Sequence, residues 1–359
     1  MGFLIPFAEF ANYLLYSILV GHVALQFVPD SRKPKIYVSK PLLLLSTLGI
    51  IIFTLGPIAQ TVSYFQDGVG LYLAIKSVIL DFQVGRAWIF IGFIATFLYM
   101  TILINGSKYI QAIWLLLMFL AVGYSSHVAS ISFWSGFWSH SVHFFIVTLW
   151  TGILIHVAWF SKEEVNWSKF LQWFSPFAII CLLIIFLTGI YLMLFIVEPT
   201  DYIKAWTLPY GQMLLLKHIS IIPVLIFAII NGLLSRKALK FSTFNPKPWI
   251  RGESIIIFIV FYFTAIMGTL SPPHEVEFTV KSEGASKWVE WLVGKDILST
   301  LPLQFSPSIQ SVLLIVLSIL FLLMVFLSFK QRRPILAVSF GMVFILVLYF
   351  GLMLSLIVN

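Results

Sequence analysis

Charge is what this sequence has least of. Only 10% of its 359 residues are Asp, Glu, Lys or Arg, against about 25% in a soluble globular chain, and the mean hydropathy is +1.02. A soluble domain as the main body of the chain is therefore excluded. Cysteine is nearly absent as well. The single Cys181 rules out an intramolecular disulfide or a cysteine-rich metal cage, and its place inside an apolar run makes it a small packing residue. There is no Gly-rich phosphate loop of the Walker type and no soluble stretch to house a nucleotide-binding domain. Short alternating strands of the membrane-barrel kind are missing too. The opening MGFLIPF has no basic region, and no small-residue cleavage site follows, so the first apolar run is expected to stay in the mature protein.

What the sequence has instead is a series of apolar runs of the length a helix needs to cross hydrocarbon. They predict an all-α, polytopic transmembrane helical bundle of about ten spans, near 7–28, 40–64, 86–105, 108–131, 137–160, 169–197, 211–235, 251–271, 309–329 and 335–357. The basic residues Arg32, Lys33, Lys35 and Lys40, then Arg236, Lys237, Lys240, Lys247 and Arg251, then Lys330, Arg332 and Arg333 occupy alternate connections. With Lys108, Lys162 and Lys169 they make fifteen of the 22 basic residues. By the positive-inside rule that side is cytoplasmic, which places both termini outside in a multi-pass plasma-membrane protein. Segments 66–85 and 199–210 are short and partly apolar and are expected to lie along the outer interface.

Residues 9–27 and 143–161 align without gaps, matching Phe10 with Phe144, Leu15 with Leu149, and His22-Val23-Ala24 with His156-Val157-Ala158. This points to an eight-helix core over 1–275 built from two tandem four-helix halves, 1–131 and 137–275. An extracytoplasmic, mixed-charge loop over 276–308 and two further helices over 309–359 complete the expected organisation.

Three of the seven histidines lie on 139–160. An imidazole in a membrane helix is costly without a partner and marks a candidate site. The predicted topology sorts the seven into two layers. His127, His140, His143, His218 and His274 fall toward the outer face, with Glu9, Met213, Lys217 and Met267 at similar depth; His22 and His156 fall toward the cytoplasmic face. Imidazole and thioether ligands suit copper, Cu(I) or Cu(II), better than hard cations, and zinc fits on ligand type alone. The most ordinary role of any one of these histidines is a hydrogen bond to a neighbouring helix. Lys217 is expected to snorkel, to pair with Glu9 or another acid, or to gate. Trp150 is expected to pack or to face lipid. A bis-histidine haem b electron carrier is the rival reading. His143 and His156 are about 20 Å apart along a helix, but turned by about 140°, so haem needs a bend at Gly152.

Four segments carry a family resemblance: YSSHVAS (124–130), SVHFFIVTLWTGIL (141–154), LPYGQMLLLKHISIIPVLIFAIING (208–232) and GTLSPP (268–273). In their order and spacing the chain resembles the CopD family of membrane copper-transport and copper-resistance proteins. The resemblance implies roles for His127, His143, Trp150, Gly152, Tyr210, Gly211 and Lys217. It departs from the family at Ser126, where glycine is usual, and at His218. It implies copper transport, with uptake as the direction, rather than an enzymatic reaction; the histidine layers and the repeat add the expectation of an outer histidine capture site and an inner His22–His156 relay. It also implies a separate extracytoplasmic copper-binding protein as partner; no nucleic acid is expected to bind. An envelope copper-sensing or assembly role is the remaining alternative.

Overall fold

Backbone amides cannot be left unpaired in hydrocarbon, so a chain this apolar closes its hydrogen bonds within each segment. The computed structural model, which describes residues 3–162, 166–234, 245–273, 275–297 and 303–358, is accordingly almost all helix. It divides into two units, Met1–Met193 and Leu194–Asn359.

The first unit contains α1 (Leu4–Gln26), α2 (Lys40–Phe53), α3 (Leu55–Val69), α4 (Leu71–Leu80), α5 (Gln83–Leu103), α6 (Lys108–Tyr124), α7 (His127–Ile131), α8 (Phe133–Trp159) and α9 (Trp167–Leu194). Pro57 has no amide to offer Phe53, and the 30-residue run Lys40–Val69 breaks at Thr54. The expected span 108–131 also divides. It stops at Tyr124, and Ser126 caps a new short helix, its hydroxyl accepting from the Ala129 amide at 3.3 Å. His127 therefore begins α7 rather than extending α6.

Helices α1 and α8 run parallel and in close contact. Tyr13 and Tyr16 meet Phe144, and further along the same pair His22 meets His156. Parallel neighbours must enter the bilayer from the same side, so an odd number of crossings separates them. The α2–α3 run, α5 and α6 supply three, which makes α6 a crossing helix although it has only 17 residues. Nine other helices among the described residues are long and apolar enough to cross.

At the basic end of this unit, lysines close the helix C-termini. Lys33 Nζ donates to Leu25 O at 2.5 Å and Val28 O at 2.9 Å, and Lys108 Nζ donates to Gln26 O at 2.9 Å. Lys40 Nζ donates to Leu103 O at 2.6 Å. Each ammonium satisfies carbonyls that have no partner within the helix and complements the negative end of its dipole.

The second unit contains α10 (Pro209–Ile229), continued by a π turn over Ile230–Leu234, then α11 (Lys247–Gly268), α12 (Val276–Glu283), α13 (Lys287–Val293), α14 (Ile309–Lys330) and α15 (Pro334–Met353). The loop expected to be a solvated cap carries the two short helices α12 and α13. It also carries strand β1 (Leu303–Phe305), which pairs antiparallel with β2 (Leu356–Val358). Trp288 Nε1 donates to Tyr349 Oη at 2.9 Å, which ties α13 to α15.

Candidate functional site

The α1–α8 crossing is made by two glycines. A Cβ on Gly21 would overlap the Gly152 carbonyl and sit 2.6 Å from His156 Nδ1, and a Cβ on Gly152 would overlap Ser17 O. Backbones approach this closely in membranes where small residues face each other, since packing rather than water drives the association. One turn beyond the contact lies His156, fully buried. Its Nδ1 lies 2.7 Å from Gly152 O. A carbonyl can only accept, so Nδ1 carries the proton and the lone pair is on Nε2. That Nε2 is buried and has no hydrogen-bond partner among the described residues.

The His22 ring lies 6.4 Å from that of His156, at an interplanar angle of 37°. Two metal–nitrogen bonds of about 2 Å, with the half-widths of two imidazoles, span about 6 Å, a separation of the same scale. His22 also lines a cavity of about 280 Å³ together with Gln26, Lys40, Asn105 and Gln111. Gln111 Nε2 donates to Gly106 O at 3.0 Å, and its Oε1 is another buried atom without a partner. Asn12 Oδ1 and Tyr16 Oη on α1, and Ser141 Oγ, Trp150 Nε1 and Thr151 Oγ1 on α8, are buried and unpartnered as well. Buried polar atoms are nearly always paired, so such a concentration on two packed helices marks a polar seam. Trp150 is 5% exposed and belongs to this interior, not to the lipid surface.

At the other end of the unit the histidines separate. His127 is exposed at the start of α7. His140 stacks on Phe144, with ring centroids 6.4 Å apart. His143 turns to α9: its Nδ1 is 2.9 Å from Thr188 Oγ1, whose own hydroxyl donates to Ile184 O at 2.6 Å. His140 and His143 are three residues apart in sequence, yet they meet different neighbours. Glu9 is half-buried on α1. No three His, Cys, Asp or Glu side chains come together among the described residues. Haem does not fit the histidine pairs here. His143 and His156 contact different helices, and the Gly21–Gly152 contact leaves no slot for a porphyrin plane beside His22 and His156.

Residues 168–267 match the family model for copper resistance protein D, CopD. Over that stretch, about a quarter of the chain, the sequence is similar to the CopD family. Neither a comparison with curated proteins nor one with solved structures gives a significant match. The matched part of the chain runs from α9 to the end of α11 and holds Tyr210, Gly211, Met213, Lys217, His218 and Met267. His22, His127, His140, His143 and His156 precede it.

Within the second unit, His218 Nδ1 lies 2.7 Å from Tyr202 Oη, and the two rings stack at 5.8 Å. Burial pushes the Tyr202 phenol up to about 12, so it is a hydroxyl, not a phenolate, beside the imidazole. Lys217, Met213 and Met267 are half-buried, and Lys217 makes no ion pair among the described residues. His274 lies outside the described residues. One buried group was not singled out from the sequence: Glu253, 2% exposed on α11, whose Oε2 accepts from Asn231 Nδ2 at 2.7 Å. The signal was present, since ESIII places a carboxylate inside the expected span 251–271, at the head of an apolar run.

Proposed function

We propose that this protein moves copper across the plasma membrane, inward, and that the His22–His156 pair is the relay from which the ion leaves at the basic, cytoplasmic end. The match of residues 168–267 to the CopD family model supports copper resistance or transport as the general role. The observation that carries the relay is the buried Nε2 of His156, a neutral imidazole lone pair without a hydrogen-bond partner, with His22 6.4 Å away at the wall of a cavity. Fixing the proton on Nδ1 through a carbonyl is how metal-binding imidazoles are oriented in general. A soft or borderline cation matches two nitrogen donors in a site that lacks carboxylates. At the opposite end of the same unit, His127, His140 and His143 offer separate, shallow contacts for capture, and successive weak sites allow an ion to leave as well as enter. A separate extracytoplasmic copper-binding protein would deliver the ion.

The test is copper uptake into proteoliposomes, with metal analysis of the purified protein alongside. Wild-type protein is expected to accumulate copper, and the His22→Ala/His156→Ala double variant to lose most of that accumulation. Equal accumulation by both would remove the relay.

A further inference from the structure

The second unit buries one carboxyl group, and the histidine relay leaves it without a task. Glu253 is the seventh residue of α11, about 9 Å along the axis from the basic end of that helix. It is 2% exposed, within a stretch in which Trp249, Ile250, Gly252, Ser254, Ile256 and Ile257 are also buried. Helices α10 and α15 close on it: a Cβ on Gly252 would meet Phe227 at 2.8 Å and Val338 at 3.0 Å. Helix α14 reaches the same region through Phe329, whose ring is 5.0 Å from that of Trp249.

Its partner is a neutral amide. Asn231 Nδ2 donates to Glu253 Oε2 at 2.7 Å and to Trp249 O at 3.2 Å, which uses both amide hydrogens, while Asn231 Oδ1 is buried without a partner. Asn231 sits in the π turn Ile230–Leu234, a local widening of the helix that recurs at functional sites. A carboxylate removed from water is held by a positive charge when its role is structural, because the desolvation cost of an unpaired charge is large. Among the described residues Glu253 makes no ion pair. The charged groups on the elements packed against it are Lys247 and Arg251 on α11, Lys330 at the end of α14, Arg333 before α15, and Lys217 fourteen positions before Asn231 on α10. Arg236, Lys237 and Lys240 fall outside the described residues.

An amide donor can serve both states of a carboxyl, although it bonds the carboxylate more strongly. Its N–H bonds to Oε2 whether Oε1 carries a proton or not, whereas a guanidinium would lock the group as a carboxylate. Ionisable groups inside membrane proteins commonly serve ion or proton pathways. We propose that Glu253, held by Asn231 in both states, is a proton-binding site that takes up and returns one proton at the basic end of the second unit, and that this exchange drives the movement of copper. The coupling rests on the transport reading above; the proton site does not.

Two measurements separate them. In infrared difference spectra of the purified full-length protein taken across a pH series, the wild type should show a carboxylic acid carbonyl band that is lost as pH rises. That band should be absent from Glu253→Gln and shifted in frequency in Glu253→Asp, which guards against a variant that merely misfolds. An unchanged band in Glu253→Gln overturns the site. In proteoliposomes, one proton per ion makes the steady-state copper ratio of the wild type change about tenfold per unit of pH gradient, and Glu253→Gln should not respond. A gradient response retained by Glu253→Gln overturns the coupling. Absence of copper uptake by the wild type removes the transport reading and the coupling with it, while the infrared band still decides the proton site.

Discussion

His156 and Gly152 are joined twice: the imidazole Nδ1 donates to the glycine carbonyl at 2.7 Å, and the same glycine is the surface over which α1 crosses. The contact between two helices and the tautomer of a histidine therefore depend on one residue without a side chain. Gly152→Ala forces a methyl against Ser17 O and should destabilise the protein by about 1–3 kcal/mol, the usual cost of overpacking. Gly92→Ala is the matched control, because a Cβ there meets nothing closer than Ile51 at 4.0 Å. Thermal unfolding in detergent should show a lowered midpoint for the first variant only; equal midpoints would contradict the tight crossing.

Removing either imidazole should weaken copper binding unequally. His156→Ala takes away a preoriented donor, and His22→Ala takes away the one at the cavity wall. Competition against a copper chelator should show at least a tenfold loss for each, and a loss in the double variant smaller than the product of the two, as expected for groups that share one ion. His127→Ala, at an exposed position, should leave this affinity unchanged. Product-like losses in the double variant would indicate two independent sites.

The sequence made the helical bundle readable because membrane spans are long, uniform and individually apolar. Hydropathy found every crossing segment, including α6, but not where backbone chemistry divides a run: the missing Pro57 amide splits 40–69, and the Ser126 cap separates His127 from α6. Orientation around a helix was not readable. His140 and His143 share a depth, but one faces Phe144 and the other Thr188, and neighbours in three dimensions have no trace in hydropathy. Glu253 was obscured for another reason. It falls inside the expected span 251–271, next to the basic connection, and hydropathy does not show that the helix turns its carboxyl inward to Asn231.

Tyr202 should respond to alkali. Its phenol is raised by burial from an ordinary 10.0 to about 12, so the native state favours the protonated form. The associated stability is complete below about pH 10 and lost as pH rises through about 12. Tyr202→Phe removes this ionisation along with a hydrogen bond to His218 worth about 1 kcal/mol. Unfolding followed between pH 8 and 12 should show the wild type losing its advantage over the variant toward the alkaline end. A constant difference would mean that the phenol is hydrated in the native state.

Sidedness can be read from a single-cysteine series. Cys181 is the one natural cysteine and is buried, so Cys181→Ala gives a silent background. Lys35→Cys and Glu283→Cys place thiols at exposed positions on the basic connection and on α12. A membrane-impermeant maleimide added to intact cells should label Glu283→Cys and spare Lys35→Cys, and lysis should expose the second. The reverse pattern would invert the assigned orientation.

Helix α6, at 17 residues, is about 25 Å long, shorter than a hydrocarbon layer of about 30 Å. Tyr109, Ile110, Ile113 and Leu116 are exposed along it, so lipid must meet the shortfall directly, and each ångström of mismatch costs a fraction of a kcal/mol. Gly106 and Gln111, at the start of this helix, line the cavity beside His22. Acyl-chain length thereby becomes a variable of the mouth itself: bilayers of shorter lipids accommodate α6 without strain, and thicker ones draw its ends inward.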